Sequence, residues 1–218
     1  MRTIAFVGQK GGSGKSTIAS SLAVAAHEME EKVCVIDMDP QGSLMNWAGT
    51  RAAGDIEVLA SGAARLPALL ASLERSGVTL ALLDTPGAEG AASTAAMQVA
   101  DLNIVPSRPS LFDLWASART RAALEEIGAR FVFLLNQCPL AQQAASVQDG
   151  VAALEEMGGL ISPLILARVD YQEAARHGWG VTELNPYGAA AQEMRDLWRS
   201  IDLRLARAKV GARAREAA

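Results

Sequence analysis

Six short apolar runs recur at wide spacing along the chain: Ile4–Val7, Val33–Ile36, Leu80–Leu83, Leu102–Val105, Phe131–Leu135 and Leu160–Leu166. Continuous runs of this length, without polar alternation, read as strands buried on both faces. Between them the apolar positions take helical spacing, as in Ile18, Leu22, Ala25, Ala26 and Met29, and again in Met194, Leu197, Trp198, Ile201 and Leu205. This alternation predicts an α/β fold: a mostly parallel central sheet, helices on both faces and right-handed crossovers. The stretch from Ala48 to Gly62 is the least patterned and offers only a short strand at Ile56–Leu59.

A length of 218 residues favours one large domain, here 1–208, followed by a basic Ala/Arg-rich tail, 209–218, that extends or frays past the last helix. Half the residues are hydrophobic and only 5% aromatic, so the core is built from Val, Ile, Leu and Ala, while 20% charged residues argue against disorder. After Met1 the apolar run is cut short by Gly8, Gln9 and Lys10, which gives no secretory leader, and no stretch is long enough to span a bilayer. Cys34 and Cys138 lie far apart, without a C-x-x-C pair, and read as small buried residues in a reducing cytoplasm. The net charge of −4 is uneven: residues 195–218 carry seven basic groups against three acidic, leaving this segment at +4 and the rest at −8. Such a tail suits an anionic partner and equally a solvated helix face.

The strongest chemical signal is Lys10-Gly11-Gly12-Ser13-Gly14-Lys15-Ser16-Thr17, directly after the first strand and opening the first helix. That context is the one a phosphate-binding P-loop requires, because glycines let backbone N–H groups turn inward and the helix N-terminus favours negative charge. Lys15 is placed to reach the β- and γ-phosphates, Ser16 to ligate Mg²⁺ directly and Thr17 to sit near the α-phosphate. Gln9 stands where the usual pattern has its first glycine. Two further strands end in acids, Asp37-Met38-Asp39-Pro40-Gln41 and Asp84-Thr85-Pro86-Gly87, at the sheet edge where open parallel folds bind ligands. Asp84 is suited to hold magnesium through water, and the Pro86–Gly90 loop to sense a γ-phosphate. A guanine reader needs a carboxylate after its asparagine. Asn136-Gln137-Cys138-Pro139 has proline there, so adenine is preferred.

These residues resemble the deviant Walker A ATPases, the ParA and MinD family, whose extra lysine sits just inside the loop as Lys10 does here. The resemblance covers nearly the whole chain and is greatest to the small plasmid ParA proteins of the ParF type. It implies a P-loop ATPase using ATP and Mg²⁺, with slow, partner-stimulated hydrolysis. Lys10 would contact the opposite subunit's phosphates in an ATP-bound homodimer, Asp39 would orient the attacking water, Asp37 would act through the magnesium's water shell, and Asn136 would contact adenine. It further implies a cytoplasmic, nucleoid-associated protein for plasmid or chromosome partition, with a ParB-like DNA-binding partner. In the ATP state it would bind non-specific DNA through Arg195, Arg199, Arg204 and Arg207, with Arg168 and Arg176 as further candidates. With the loop at residue 10, no N-terminal helix-turn-helix domain is expected. The Ala-rich tail lacks the bulky apolar face a membrane-binding helix needs, so no membrane partner is expected. A positioner of protein cargo and an ATP-dependent metabolic ligase or kinase remain the alternatives.

Overall fold

The computed structural model describes residues 1–140 and 145–216. Five of the six apolar runs, and the short candidate near residue 57, form β1 (Arg2–Phe6), β2 (Val33–Asp37), β3 (Glu57–Ala60), β4 (Leu80–Asp84), β5 (Leu102–Ser107) and β6 (Phe131–Leu135). They pair in one sheet of order β3-β2-β4-β1-β5-β6, parallel throughout. The helices are α1 (Lys15–His27), α2 (Ser43–Thr50), α3 (Leu66–Arg75), α4 (Ala91–Val99), α5 (Leu111–Glu126), α6 (Ala145–Glu156), α7 (Asp170–Arg176), α8 (Val181–Leu184) and α9 (Ala189–Glu216). The expected α/β class is the one observed.

Strand side chains alternate between faces, so each face of the sheet acquires its own core. Ile4 and Phe6 of β1 pack in one core with Ile18 and Leu22 of α1, Trp47 of α2, Tyr171 of α7 and Met194, Leu197, Trp198, Ile201 and Leu205 of α9. Ala5 and Val7 belong to the other, with Leu73 of α3, Met97 of α4, Leu124 of α5 and Leu154 of α6. The apolar stripe read from α9 is therefore the buried one.

One expectation is corrected. Leu160–Leu166 is not a seventh strand: isolated bridges join Leu160 to Phe133 of β6 and Leu166 to Cys138 beyond its end. Pro163, which has no N–H to donate, interrupts the ladder between them. The α9 backbone is helical through Glu216; residues 217–218 lie outside the described residues.

β1 sits between β4 and β5, at the point where the strand order reverses, so the turn that follows it opens into the crevice at the strands' C-terminal edge. Parallel register also places Asp84 opposite both Phe6 and Asp37. Two carboxylates 47 positions apart in sequence thus meet beside the loop that follows β1.

Candidate functional site

The loop between β1 and α1 is held in shape from behind. Gly14 caps α1 in the left-handed region at φ 93°, and a Cβ there would lie 2.3 Å from Asn136 Nδ2. Only glycine meets both demands. Asn136 Nδ2 donates to the Ser13 carbonyl at 2.7 Å and Gln137 Nε2 to that of Gly12 at 3.1 Å, so the end of β6 straps the loop. From the front, Gly87 closes on the same loop, with the position of a Cβ only 2.8 Å from Gly11 N and Cα.

A cleft of about 540 Å³ opens over this loop, lined by Gly11, Gly12, Lys15, Ser16, Asp39 and Gly87, among others. A second, of about 380 Å³, meets it at Gly14 and Thr17 and is bounded by Asn136, Arg168 and Tyr171. The first holds Lys15, Ser16 and Asp39 and the second lies against Asn136, a division that suits a phosphate chain and a base. The Lys15 ammonium donates to the Lys10 carbonyl at 3.3 Å. Burial lowers the Lys15 pKa, with Asp84 and Asp39 opposing the shift. An anion in the cleft would restore favourable surroundings for that charge.

Asp84 is fully buried and accepts from Ser16 Oγ at 2.5 Å, while its Oδ1 has no partner among the described residues. Burial pushes this carboxyl up to about 7; Ser16 and Lys15 pull it down, and Asp37 and Asp39 push it further up. An orphaned carboxylate oxygen beside a serine hydroxyl is a donor set that fits a hard divalent cation. Asp39 is half-buried on the cleft wall, with Oδ1 accepting from Gln41 N at 2.9 Å. Asp37 has another task. Its oxygens accept from Leu44 N at 2.9 Å and Met45 N at 3.0 Å, at the start of α2, and from Asp39 N at 3.1 Å. Its contribution to a cation's water shell is limited to what those three bonds leave.

Lys10 does not reach into its own loop. Its Nζ lies 2.6 Å from Oδ2 of Asp113 on α5. Asp113 was missed by the sequence reading, although Ser110-x-x-Asp113 is a helix-start pattern and Ser110 does cap α5. Nearby Leu111, Phe112 and Trp115 are exposed, with the Phe112 and Trp115 rings edge to face.

The arginines proposed for DNA divide into two groups. Arg168 pairs with Glu193, Arg176 with Glu173, Arg195 with Glu28 and Arg199 with Asp196. Arg204 and Arg207 are exposed and form no ion pair among the described residues. No helix among the described residues is long and apolar enough to cross a membrane.

Residues 4–186 match the family model described as the CobQ/CobB/MinD/ParA nucleotide binding domain. The maintenance of carboxysome distribution protein A of Gloeobacter kilaueensis is 42% identical over 118 residues, 52% of each chain. Its namesake from Halothiobacillus neapolitanus is 26% identical over 88% of this chain and 91% of its own. The chromosome-partitioning ATPase Soj of Thermus thermophilus is 28% identical over 59% of this chain and 64% of its own. The chain thus spans about half the length of the first of these relatives and nearly all of the second. Among solved structures, apo McdA from Cyanothece superposes with a TM-score of 0.80 at 20% identity, covering 92% of this chain and 99% of that one.

Proposed function

The chain belongs to the CobQ/CobB/MinD/ParA nucleotide-binding family, and from that premise we propose that it is an ATP-driven dimerisation switch that positions a protein assembly inside the cell. The observation that carries this reading is a phosphate loop with two lysines turned to different work. Lys15 is buried on the cleft that the loop encloses, whereas Lys10 turns away from that cleft to Asp113 of α5 and stays a third exposed. A partly exposed cation that its own cleft does not use is available to a second subunit.

ATP is the substrate of this reading. Gly11 to Gly14 and the start of α1 cradle its phosphates, Lys15 offsets charge at the β- and γ-positions, Thr17 lies near the α-phosphate, and Asn136 borders the base. Ser16 and, through water, Asp84 would hold magnesium, with Asp37 contributing through water what its backbone bonds leave, and the ion would supply charge neutralisation to the phosphates. Asp39 orients the attacking water. The Pro86–Gly90 loop, packed on Gly11, registers whether a γ-phosphate is present. Lys10 from each subunit completes the opposite site, so dimerisation and turnover are coupled.

For cargo, the carboxysome-distribution names of two relatives support a protein assembly over the plasmid or chromosome expected from sequence. The ATP dimer would hold to the nucleoid by non-specific DNA contacts, with Arg204 and Arg207 the most available groups, and a partner on the cargo, ParB-like in role, would stimulate hydrolysis.

Light scattering with ATP and with ADP tests the switch: ATP should give a dimer and ADP a monomer. A monomer at saturating ATP and magnesium would sink it. Deleting the gene should displace a protein assembly and leave plasmid inheritance unchanged, while plasmid loss with undisturbed assemblies would return the reading to partition.

A further inference from the structure

Asp113 is an unusual partner for Lys10. Its side chain is only 2% exposed, whereas that of Lys10 is 33% exposed and free to leave. Three side chains and the start of a helix favour the one carboxylate. Lys10 Nζ lies 2.6 Å from Oδ2 and Arg108 Nε 3.0 Å from Oδ1. The Ser110 hydroxyl also donates to Oδ2, and Asp113 sits in the first turn of α5, where the helix N-terminus favours negative charge. Burial alone would raise this carboxyl, but the hydrogen bonds from Arg108, Lys10 and Ser110 outweigh it and hold it below the usual range.

The redundancy decides what the contact can do. A buried carboxylate with a single cation cannot lose it without being orphaned. Asp113 can, because Arg108, Ser110 and the helix terminus remain when Lys10 departs. The ion pair is therefore strong enough to hold Lys10 and supported enough to release it.

We propose that Asp113 is a positioning residue that parks Lys10 in the nucleotide-free monomer, so that the dimer forms only when the partner's phosphates outbid a buried carboxylate for that lysine. This rests on the switch reading above and adds its threshold. The γ-phosphate supplies the extra negative charge that wins the exchange, and ADP lacks it. Arg108 tunes the threshold, since it shares the carboxylate with Lys10 and weakens each single claim on it. A symmetric dimer opens two such contacts, so the effect of any change at Asp113 enters the dimerisation constant squared.

The experiment uses the full chain with the non-hydrolysable analogue AMPPNP and with ADP. Two readouts are taken: sedimentation for the dimer constant, and the rate at which an acetylating reagent labels Lys10 in the nucleotide-free protein, followed by mass spectrometry. In Asp113→Asn, Lys10 should label roughly threefold faster or more. The AMPPNP dimer should tighten by about tenfold, the square of that factor, while the affinity of the monomer for nucleotide stays unchanged. Asp113→Glu should return toward wild type, and Lys10→Ala should erase the gain when combined with Asp113→Asn. Arg108→Gln gives an independent test of opposite sign and leaves the buried carboxylate in place: Lys10 should label more slowly and the dimer weaken. A wild type that dimerises while both variants match it overturns the parking role and leaves the switch standing. A weaker dimer in Asp113→Asn also overturns it, because Asp113 would then aim Lys10 at the partner. A wild type that stays monomeric with AMPPNP overturns the switch and the threshold with it, whatever the labelling shows.

Discussion

Gly87→Ala tests whether the loop after β4 and the phosphate loop work as one closed unit. The added Cβ would stand 2.8 Å from Gly11 N and Cα and 3.2 Å from the Lys10 carbonyl carbon. Ordinary contact begins near 3.4 Å, so the two loops must part by about 0.6 Å. Every near atom is backbone, so no side chain can swing aside to absorb the clash. Binding constellations of this kind tolerate displacements of about 0.5 Å. Overpacking of this order costs about 1–3 kcal/mol. Taking about 1.4 kcal/mol of that from the bound state, ATP affinity should fall about tenfold. Calorimetric titration with ATP and magnesium measures it directly, with thermal unfolding to show that the protein remains folded. Gly90→Ala, in the same loop, is the control: no atom lies within 4 Å of its added Cβ and its backbone is extended, so affinity should stay within about twofold. Wild-type affinity in Gly87→Ala would show that the loops are not held against each other when nucleotide binds.

Lys15→Ala, measured by the same titration, should lose ATP affinity by about tenfold or more, because the phosphate charge loses its buried counter-ion. Asp39→Ala should bind ATP normally and release phosphate at least about tenfold more slowly; undiminished turnover would remove Asp39 from its assigned role. Arg51→Met should destabilise the fold by about 2–4 kcal/mol in a denaturant titration. The Arg51 side chain is 3% exposed and bonds Asp55 and Glu183 in pairs as well as the Gly178 carbonyl, tying α2 to α7 and α8, while its two acids are near 30% exposed and can rehydrate. The Arg51 hydrogen bonds lower the Asp55 pKa. That part of the stability is present above about pH 4 and is lost as pH falls through the depressed pKa, so the gap between wild type and Arg51→Met should narrow as pH falls below about 4.

Much of this protein was legible in one dimension because its signals are local. A strand buried on both faces must be a continuous apolar run, so β1, β2, β4, β5 and β6 could be read directly from sequence. A loop that wraps phosphate must be glycine-rich and must open a helix, and the loop ending at Lys15 says so within eight residues. The same local reading failed at Leu160–Leu166, where the composition is apolar but Pro163 breaks the hydrogen-bond ladder.

What the sequence left undecided depends on long-range packing. Nothing near Lys10 indicates that its amine belongs to Asp113, because 103 positions separate them until β1 and β5 lie side by side. Asp37 and Asp84 looked like equal candidates for a cation. Burial and partners then separated them, leaving Asp84 with an unpaired oxygen and giving Asp37 to the backbone of α2. The basic residues of α9 looked alike until Glu28, from the end of α1, claimed Arg195, and Arg204 and Arg207 were left exposed. Charge and residue type are properties of the chain. The partner that decides what a charge does arrives from elsewhere in the sequence, and only the folded arrangement of sheet and helices determines which partner that is.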